Sequence, residues 1–369
     1  MQTVVIARTG SPFFVTGKGA SAIGEDDTQC VVERVADMGY NTVYFGHVKN
    51  RELLRSDVKV LAPDLNGINE DSTGAEIAER LDPLVDELRR MDPVICLNVA
   101  GAPPSWSWTE NPNGAFTQAF AVRYSCPALY MMHKLALKRA LIITDPKVYP
   151  RDCEMSTCWP EIVPCAVLSQ EETVFRKTIQ DVAYSVVCKY AACEFWRTQG
   201  WKRKTWQKTI PFSICAHSHR GNPRLGKGRD DIWPSILDDP RFQVCGKGWE
   251  GTPQWAGVIP SEQLDEFIGQ GMAGPMIPQK VGFNTTKPRM YALNGTIPLL
   301  YGRGGPYTYD IDERILPLDS PFRIEKLSEA CLDESVIEHV LKVTEPNWTM
   351  LEQLLEEGPN PEKFGGYIA

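Results

Sequence analysis

Residues 209–229 hold the densest set of groups able to do chemistry. Ser218, Arg220, Arg224, Lys227 and Arg229 follow an apolar run made of Ile210, Phe212, Ile214 and Ala216. The run is bounded by turn residues, which predicts a buried strand that delivers a cationic loop. Gly221, Asn222 and Pro223 force the loop, and a helix is expected to open near Asp230-Asp231. Two guanidiniums on one loop can hold a diphosphate in bidentate fashion, which the point charge of a lysine does less specifically. Amide donors of a turn beside a helix N-terminus would strengthen that hold. Two other readings are open at this point. Gly221-Asn-Pro-Arg-Leu-Gly-Lys-Gly228 follows P-loop spacing until its last position, where Gly228 replaces the magnesium-binding Ser or Thr. Pro223 also removes an amide donor from such a loop. The third reading is a solvated basic turn.

Three further stretches carry candidate chemistry. The run Ala140–Asp145 reads as a buried strand ending in an acid, and Asp145 is either a general base facing a cleft or a cap for the next helix. Residues 101–118 form a long loop after a strand and contain Trp106 and Trp108, which serve either as a stacking platform or as core anchors. The stretch Trp196–Lys208 interleaves Arg197, Lys202, Arg203 and Lys204 with Trp196, Trp201 and Trp206. It could contact nucleic-acid phosphates, or it could be a basic linker whose long side chains snorkel.

These groups need a scaffold, and the chain spells one out. Its 369 residues exceed the usual ceiling for one hydrophobic core, so two domains are expected. Apolar residues make up 43% and charged residues 23%, the composition of a globular protein. A net charge of −8 argues against a protein that coats nucleic acid, though it allows a local basic face. Eleven cysteines without metal-ligand pairing fit a reduced compartment, so a cytoplasmic protein with no metal centre is expected. No stretch approaches membrane-spanning length.

Strand-like and helix-like segments alternate from the start, which predicts βαβ units and parallel sheets. Expected strands are Thr3–Arg8, Thr42–Val48, Val58–Ala62, Val94–Ala100, Ala140–Asp145 and Ala166–Gln170, with helices over Thr28–Met38, Ala75–Met91 and Pro127–Arg139. Gly39 is placed to end the first helix. Gly10 lies in the turn Arg8–Pro12. Residues 172–200 read as largely helical. A second series then runs as strand 209–216, helix 230–238, strand 242–246, helix 261–268, strand 275–279, helix 287–294 and strand 297–301. The expected division is 1–170, a helical and basic connection 171–208, 209–345, and a C-terminal helix 346–369 that packs back on the first domain. Two doubly wound, Rossmann-like domains would face a crevice with the carboxyl ends of their strands.

With these segments placed, the chain resembles the DNA β-glucosyltransferases of T-even phages, two-domain glycosyltransferases of GT-B fold. That family holds the donor diphosphate with Ser-x-Arg-x-x-x-Arg after the first strand of its second domain, a spacing met by Ser218, Arg220 and Arg224. Its Gly-x-Ile-Pro, which reads uracil, is similar to Gly257-Val-Ile-Pro260 and implies that role for Ile259. Its ribose-binding Arg-x-aromatic-Glu resembles Arg289-Met-Tyr-Ala292, with Ala292 where the family has glutamate. Its strand-ending catalytic acid matches Thr144-Asp145, its Val-Ile-Ser-Gln is echoed by Val167-Leu-Ser-Gln170, and its N-terminal sugar-binding glutamate aligns with Asp27 before Met38-Gly39.

The resemblance implies a UDP-sugar donor, UDP-glucose first, and an inverting transfer to 5-hydroxymethylpyrimidines of double-stranded DNA. It allows a divalent metal without requiring one, and it implies the host cytoplasm of a phage as the setting. Gly10 would let the chain approach the donor closely. Trp106 or Trp108 would fill the gap left by a flipped base, and Arg197, Lys202, Arg203 and Lys204 would track the DNA backbone. A GT-B transferase acting on a glycan or small molecule is the alternative, and a P-loop-like nucleotide-binding regulator is another.

Overall fold

A computed structural model gives the fold, and the description covers residues 1–9, 13–14, 27–48, 51–64, 74–100, 126–143, 163–170, 172–179, 182–216, 239–276, 286–300 and 334–368. The described chain divides into two compact units. One runs to Arg197 and resumes at Asn347, and the other spans Thr198–Pro346.

The first unit is built on β1 (Thr3–Thr9), β2 (Phe13–Phe14), β3 (Asn41–Phe45), β4 (His47–Val48), β5 (Lys59–Leu61), β6 (Pro93–Ala100), β7 (Arg139–Ile143), β8 (Ala166–Ser169), β9 (Thr173–Ile179) and β10 (Val182–Tyr190). Its main sheet contains the parallel order β8-β7-β6-β1-β3-β5. Counted along the chain those strands are sixth, fifth, fourth, first, second and third. This is the doubly wound arrangement, whose switch point lies between β1 and β6. Val4, Val5, Ile6 and Ala7 are all fully buried, because a central parallel strand is covered on both faces. Val4 and Ile6 belong to one core with Val31, Val32 and Val35 of the helix Asp27–Asp37. Val5 and Ala7 belong to the other, with Leu81, Val85 and Leu88 of the helix Gly74–Arg90 and Met131 and Met132 of the helix Cys126–Leu135. Gly39 takes φ 84 and ends the first helix as expected, with Tyr40 N donating to Val35 O.

Two expectations need correction. Residues 172–200 are not largely helical: β9 and β10 form an antiparallel hairpin from Val182↔Ile179 to Cys188↔Thr173, followed only by the short helix Cys193–Trp196. Thr173, Val174, Phe175, Val186 and Val187 are β-formers, and burial alternates at Val186 and Cys188, so a period of two prevails. Nor is 346–369 one helix. It holds the helices Thr349–Glu357 and Pro361–Phe364 and then the strand Gly365–Ile368, antiparallel to β10. This segment closes the first core. Trp348 stacks on Trp196 at 4.4 Å, and Trp196 Nε1 donates to Asn347 O at 2.7 Å. Arg34 of the first helix pairs with Glu352.

The second unit is a parallel sheet of β11 (Ile210–Cys215), β12 (Phe242–Cys245), β13 (Gly271–Met276) and β14 (Ile297–Leu300), in the order β12-β11-β13-β14. Its switch point lies between β11 and β13. β13 begins four residues before the expected strand. The helices Leu264–Gln270, Lys287–Leu293 and Ser335–Val343 accompany the sheet. Among the described residues no helix is long and apolar enough to cross a membrane.

The C-terminal strand enters the sheet only because it starts with two glycines. A Cβ on Gly365, at φ 73, would stand 2.4 Å from Val187 O and 2.7 Å from Val167 O. Gly365→Ala is therefore expected to lower the stability of the first unit by about 3 kcal/mol in urea unfolding. Unchanged stability would mean that this strand does not hold the sheet closed.

Candidate functional site

In doubly wound sheets ligands bind beyond the carboxyl ends of the strands, next to the switch point. In the first unit β1, β6 and β7 end level, since Thr9 pairs with Ala100 and Ala100 with Ile143. From these ends the sequence continues into Gly10, into the stretch with Trp106 and Trp108, and into Thr144-Asp145. Gly10, Trp106, Trp108, Asp145, Ser218, Arg220 and Arg224 lie outside the described residues. Asp27 is the first residue of the helix Asp27–Asp37.

The matching edge of the second unit is described up to Ala216. There the backbone of β11 is held from several directions. Cys215 N donates to Tyr291 Oη at 2.9 Å, and Lys287 Nζ donates to Cys215 O at 2.7 Å. Ala216 N donates to Cys245 O at 3.1 Å, and Trp249 Nε1 donates to Ala216 O at 2.7 Å. Lys287 and Tyr291 stand four apart on the helix Lys287–Leu293, so both project from one face and reach the same residue. The Cys215 and Cys245 thiols face each other across paired strands. A hydrogen bond from Cys245 and then the Lys287 cation hold the Cys215 thiol below the usual range, while the same bond and burial push Cys245 up. Burial raises the Tyr291 phenol well above its ordinary value.

Ile259 and Arg289 belong to the same unit. Residues 254–257 run parallel to β12, with Trp255 opposite Val244 and Gly246 N donating to Gly257 O at 3.0 Å. Half-buried Ile259 follows on that path. Arg289 projects from the other side of its helix, where Nη1 donates to Leu341 O at 2.8 Å and closes the last turn of Ser335–Val343. Burial lowers its pKa, with Glu345 opposing.

From Thr198 onward the basic stretch belongs to the second unit, and its cations meet partners there. Arg203 pairs with Glu338, and Lys204 Nζ meets Asp265 Oδ2 at 2.5 Å. Asp265 is buried and also accepts from Asn294 Nδ2 at 3.2 Å, while Asn294 Oδ1 accepts from Trp206 Nε1 at 2.9 Å. Lys208 Nζ donates to Gly269 O at 2.8 Å and Gly271 O at 2.9 Å. Desolvation pushes its pKa down to about 8, against a smaller opposing pull from Glu334. Lys202 and Arg203 are exposed, Arg197 and Lys204 half-buried. Sequence reasoning missed Lys287, Trp249 and the Cys215–Cys245 pair, and it met Tyr291 only as the aromatic of the Arg289–Ala292 motif, without its bond to Cys215 N. The strand-order rule that points to the end of β11 is the signal that finds them.

No protein-family model matches the chain, and no curated protein sequence does. Solved structures do. T4 phage β-glucosyltransferase in complex with UDP and Mn2+ is similar with a TM-score of 0.52 at 14% identity, over 96% of this chain and 97% of that one. A mutant of that enzyme with UDP-glucose gives 0.51 at 12% identity over the same shares. A structure described as the DNA modifying enzyme β-glucosyltransferase, with and without uridine diphosphoglucose, gives 0.51 at 11%, again over 96% and 97%. The likeness is one of fold: two Rossmann-like units of GT-B type.

Two outcomes follow from the Lys204–Lys208 contacts. Lys204→Met leaves the buried Asp265 carboxylate without its cation and is expected to cost about 2 kcal/mol in urea unfolding, whereas exposed Lys202→Met stays within about 0.5 kcal/mol of wild type. Lys208 binds its proton less tightly in the folded protein, with a pKa of about 8 against 10.5. That disadvantage is complete below the folded value and disappears as pH rises towards the unfolded one. The stability of wild type relative to Lys208→Met is therefore expected to improve between about pH 8 and about pH 10. A constant difference in thermal unfolding would contradict this assignment.

Proposed function

We propose that this chain is a GT-B glycosyltransferase that moves a sugar from a UDP-sugar, UDP-glucose first, to the hydroxyl of a 5-hydroxymethylpyrimidine in double-stranded DNA. The observation that carries the proposal is the end of β11. It lies at the switch point of the second sheet, its backbone is held from outside the ladder, and the sequence runs from it into Ser218-x-Arg220-x-x-x-Arg224. The fold shared with T4 phage β-glucosyltransferase supports the same reading.

In this mechanism Asp145 accepts the proton of the acceptor hydroxyl while its oxygen attacks the anomeric carbon from the face opposite the diphosphate, and the configuration inverts. The bond from the anomeric carbon to the diphosphate oxygen breaks, and Arg220 and Arg224 stabilise the charge that gathers there. Ser218 adds a hydroxyl donor, Ile259 contacts uracil through its backbone, and Asp27 contacts the sugar; the ribose role that the family pattern gives Arg289 falls to the guanidinium donors other than Nη1, which is held by Leu341 O. Gly10 permits close approach of the chain to the donor. A base in a duplex must leave the stack to react, and Trp106 or Trp108 replaces the lost stacking. Lys202 and Arg203, with Arg197, contact DNA phosphates. Lys204 contributes less, because Asp265 already uses its charge.

A glycan or small-molecule acceptor is the second reading. It is favoured by the net charge of −8 and by the ion pairs that engage Arg203 and Lys204.

The test is incubation with UDP-glucose and duplex DNA carrying 5-hydroxymethylcytosine or 5-hydroxymethyluracil, read by nucleoside mass. A hexose-sized gain that Asp145→Ala abolishes is the expected result. Arg220→Ala is expected to weaken UDP binding at least about tenfold, and Lys227→Ala far less. The reverse ranking would favour a P-loop-like site. Replacing Lys202 and Arg203 together by Met is expected to weaken DNA binding and flatten its salt dependence. UDP binding without any gain in nucleoside mass would move the acceptor outside DNA.

A further inference from the structure

The carboxyl end of β11 poses a hydrogen-bonding problem. On the β13 side the ladder stops at Phe212, paired with Ala273, three residues before the strand ends. Beyond that point the two strands no longer serve each other, and buried backbone groups without partners are costly. Two side chains of one helix fill the opening. Tyr291 lies across Gly274, where a Cβ would stand 1.8 Å from Tyr291 Cε1, and its hydroxyl accepts from Cys215 N. Lys287, one turn earlier, places its ammonium on Cys215 O. The peptide joining Cys215 to Ala216 is thereby fixed at both ends, its carbonyl by Lys287 and its amide N–H by Cys245 O. Trp249 then fixes the next carbonyl.

Resting on the UDP-sugar reading, we propose that Lys287 is a positioning residue for the donor diphosphate. It orients the peptide at the end of β11, three residues before Ser218 in the sequence, and its cation adds positive potential at that strand end. Neither task is served by an apolar side chain. A carbonyl at this depth needs a donor, and an ammonium bound to it polarises the peptide so that the attached N–H donors strengthen. Arginine can keep both the charge and a donor, whereas methionine keeps only the stem. The helix itself is held independently by Tyr291 against the sheet and by Arg289 on Leu341, so losing the Lys287 ammonium leaves the scaffold anchored.

Isothermal titration of UDP and of uridine into wild type, Lys287→Met, Lys287→Arg and Trp249→Phe tests this. Lys287→Met is expected to weaken UDP binding about tenfold and to change uridine binding less than about twofold, because the proposed role concerns the diphosphate and uridine has none. Lys287→Arg is expected to recover most of the loss, and Trp249→Phe to reproduce part of it. In the transferase assay the Met variant raises the KM for the donor more than it lowers kcat. Wild-type UDP affinity in Lys287→Met, or equal losses for UDP and uridine, would overturn the inference while leaving the donor reading intact. A wild-type protein that binds no UDP would remove the donor reading, and this inference with it.

Discussion

A chain that leaves a parallel sheet carries amides and carbonyls that the ladder no longer serves, and the second unit is arranged around meeting that need at Cys215 and Ala216. The solution sets conditions elsewhere. Tyr291 reaches Cys215 N only because residue 274 has no side chain, and Ser213 packs under β13 only because residue 271 has none either. With Lys287 and Tyr291 turned towards the sheet, helical periodicity sends Arg289 the other way, where it closes the helix Ser335–Val343. One unmet hydrogen-bonding demand thus fixes the glycine at 274, the rotation of a helix and the docking of a second helix.

Burial on both faces and close backbone approach also decide what could be read in the sequence. Most strands of the first sheet were legible, since Val4–Ala7 and Ala140–Ile143 are apolar throughout and only doubly covered strands afford that. Gly39 marked its helix end for a local reason, a left-handed turn. β13 was expected four residues late, because Gly271 and Gly274 are residues a strand disfavours, and they are there for the close approach of Ser213 and Tyr291. The β9–β10 hairpin was lost to a helical reading of 172–200, although its β-branched and aromatic residues carried the opposite signal.

At the candidate site, legibility followed sequence distance. Ser218, Arg220 and Arg224 were singled out within a cation cluster by their spacing, and the diphosphate role among its open readings came from the family pattern they resemble. The partners of the basic stretch could not, because Asp265 is 61 residues from Lys204 and Glu338 is 135 from Arg203. A run of cations reads as a surface for phosphates until the acids that meet it are known. Lys287 was equally silent, since the carbonyl it serves lies 72 residues earlier.

The stacked pair Trp196 and Trp348 has a consequence for the covalent plan of the molecule. The chain departs from the first unit after Arg197 and comes back at Asn347, and the bond from Trp196 to Asn347 O brings the two points together. In topological terms the residues between them are an insertion with a closed doorway, and a short loop could join Arg197 to Asn347 without opening the first core. Such adjacency is what lets one domain be acquired, exchanged or removed while its host keeps folding. The first unit can therefore be regarded as the parent fold and the second as its guest.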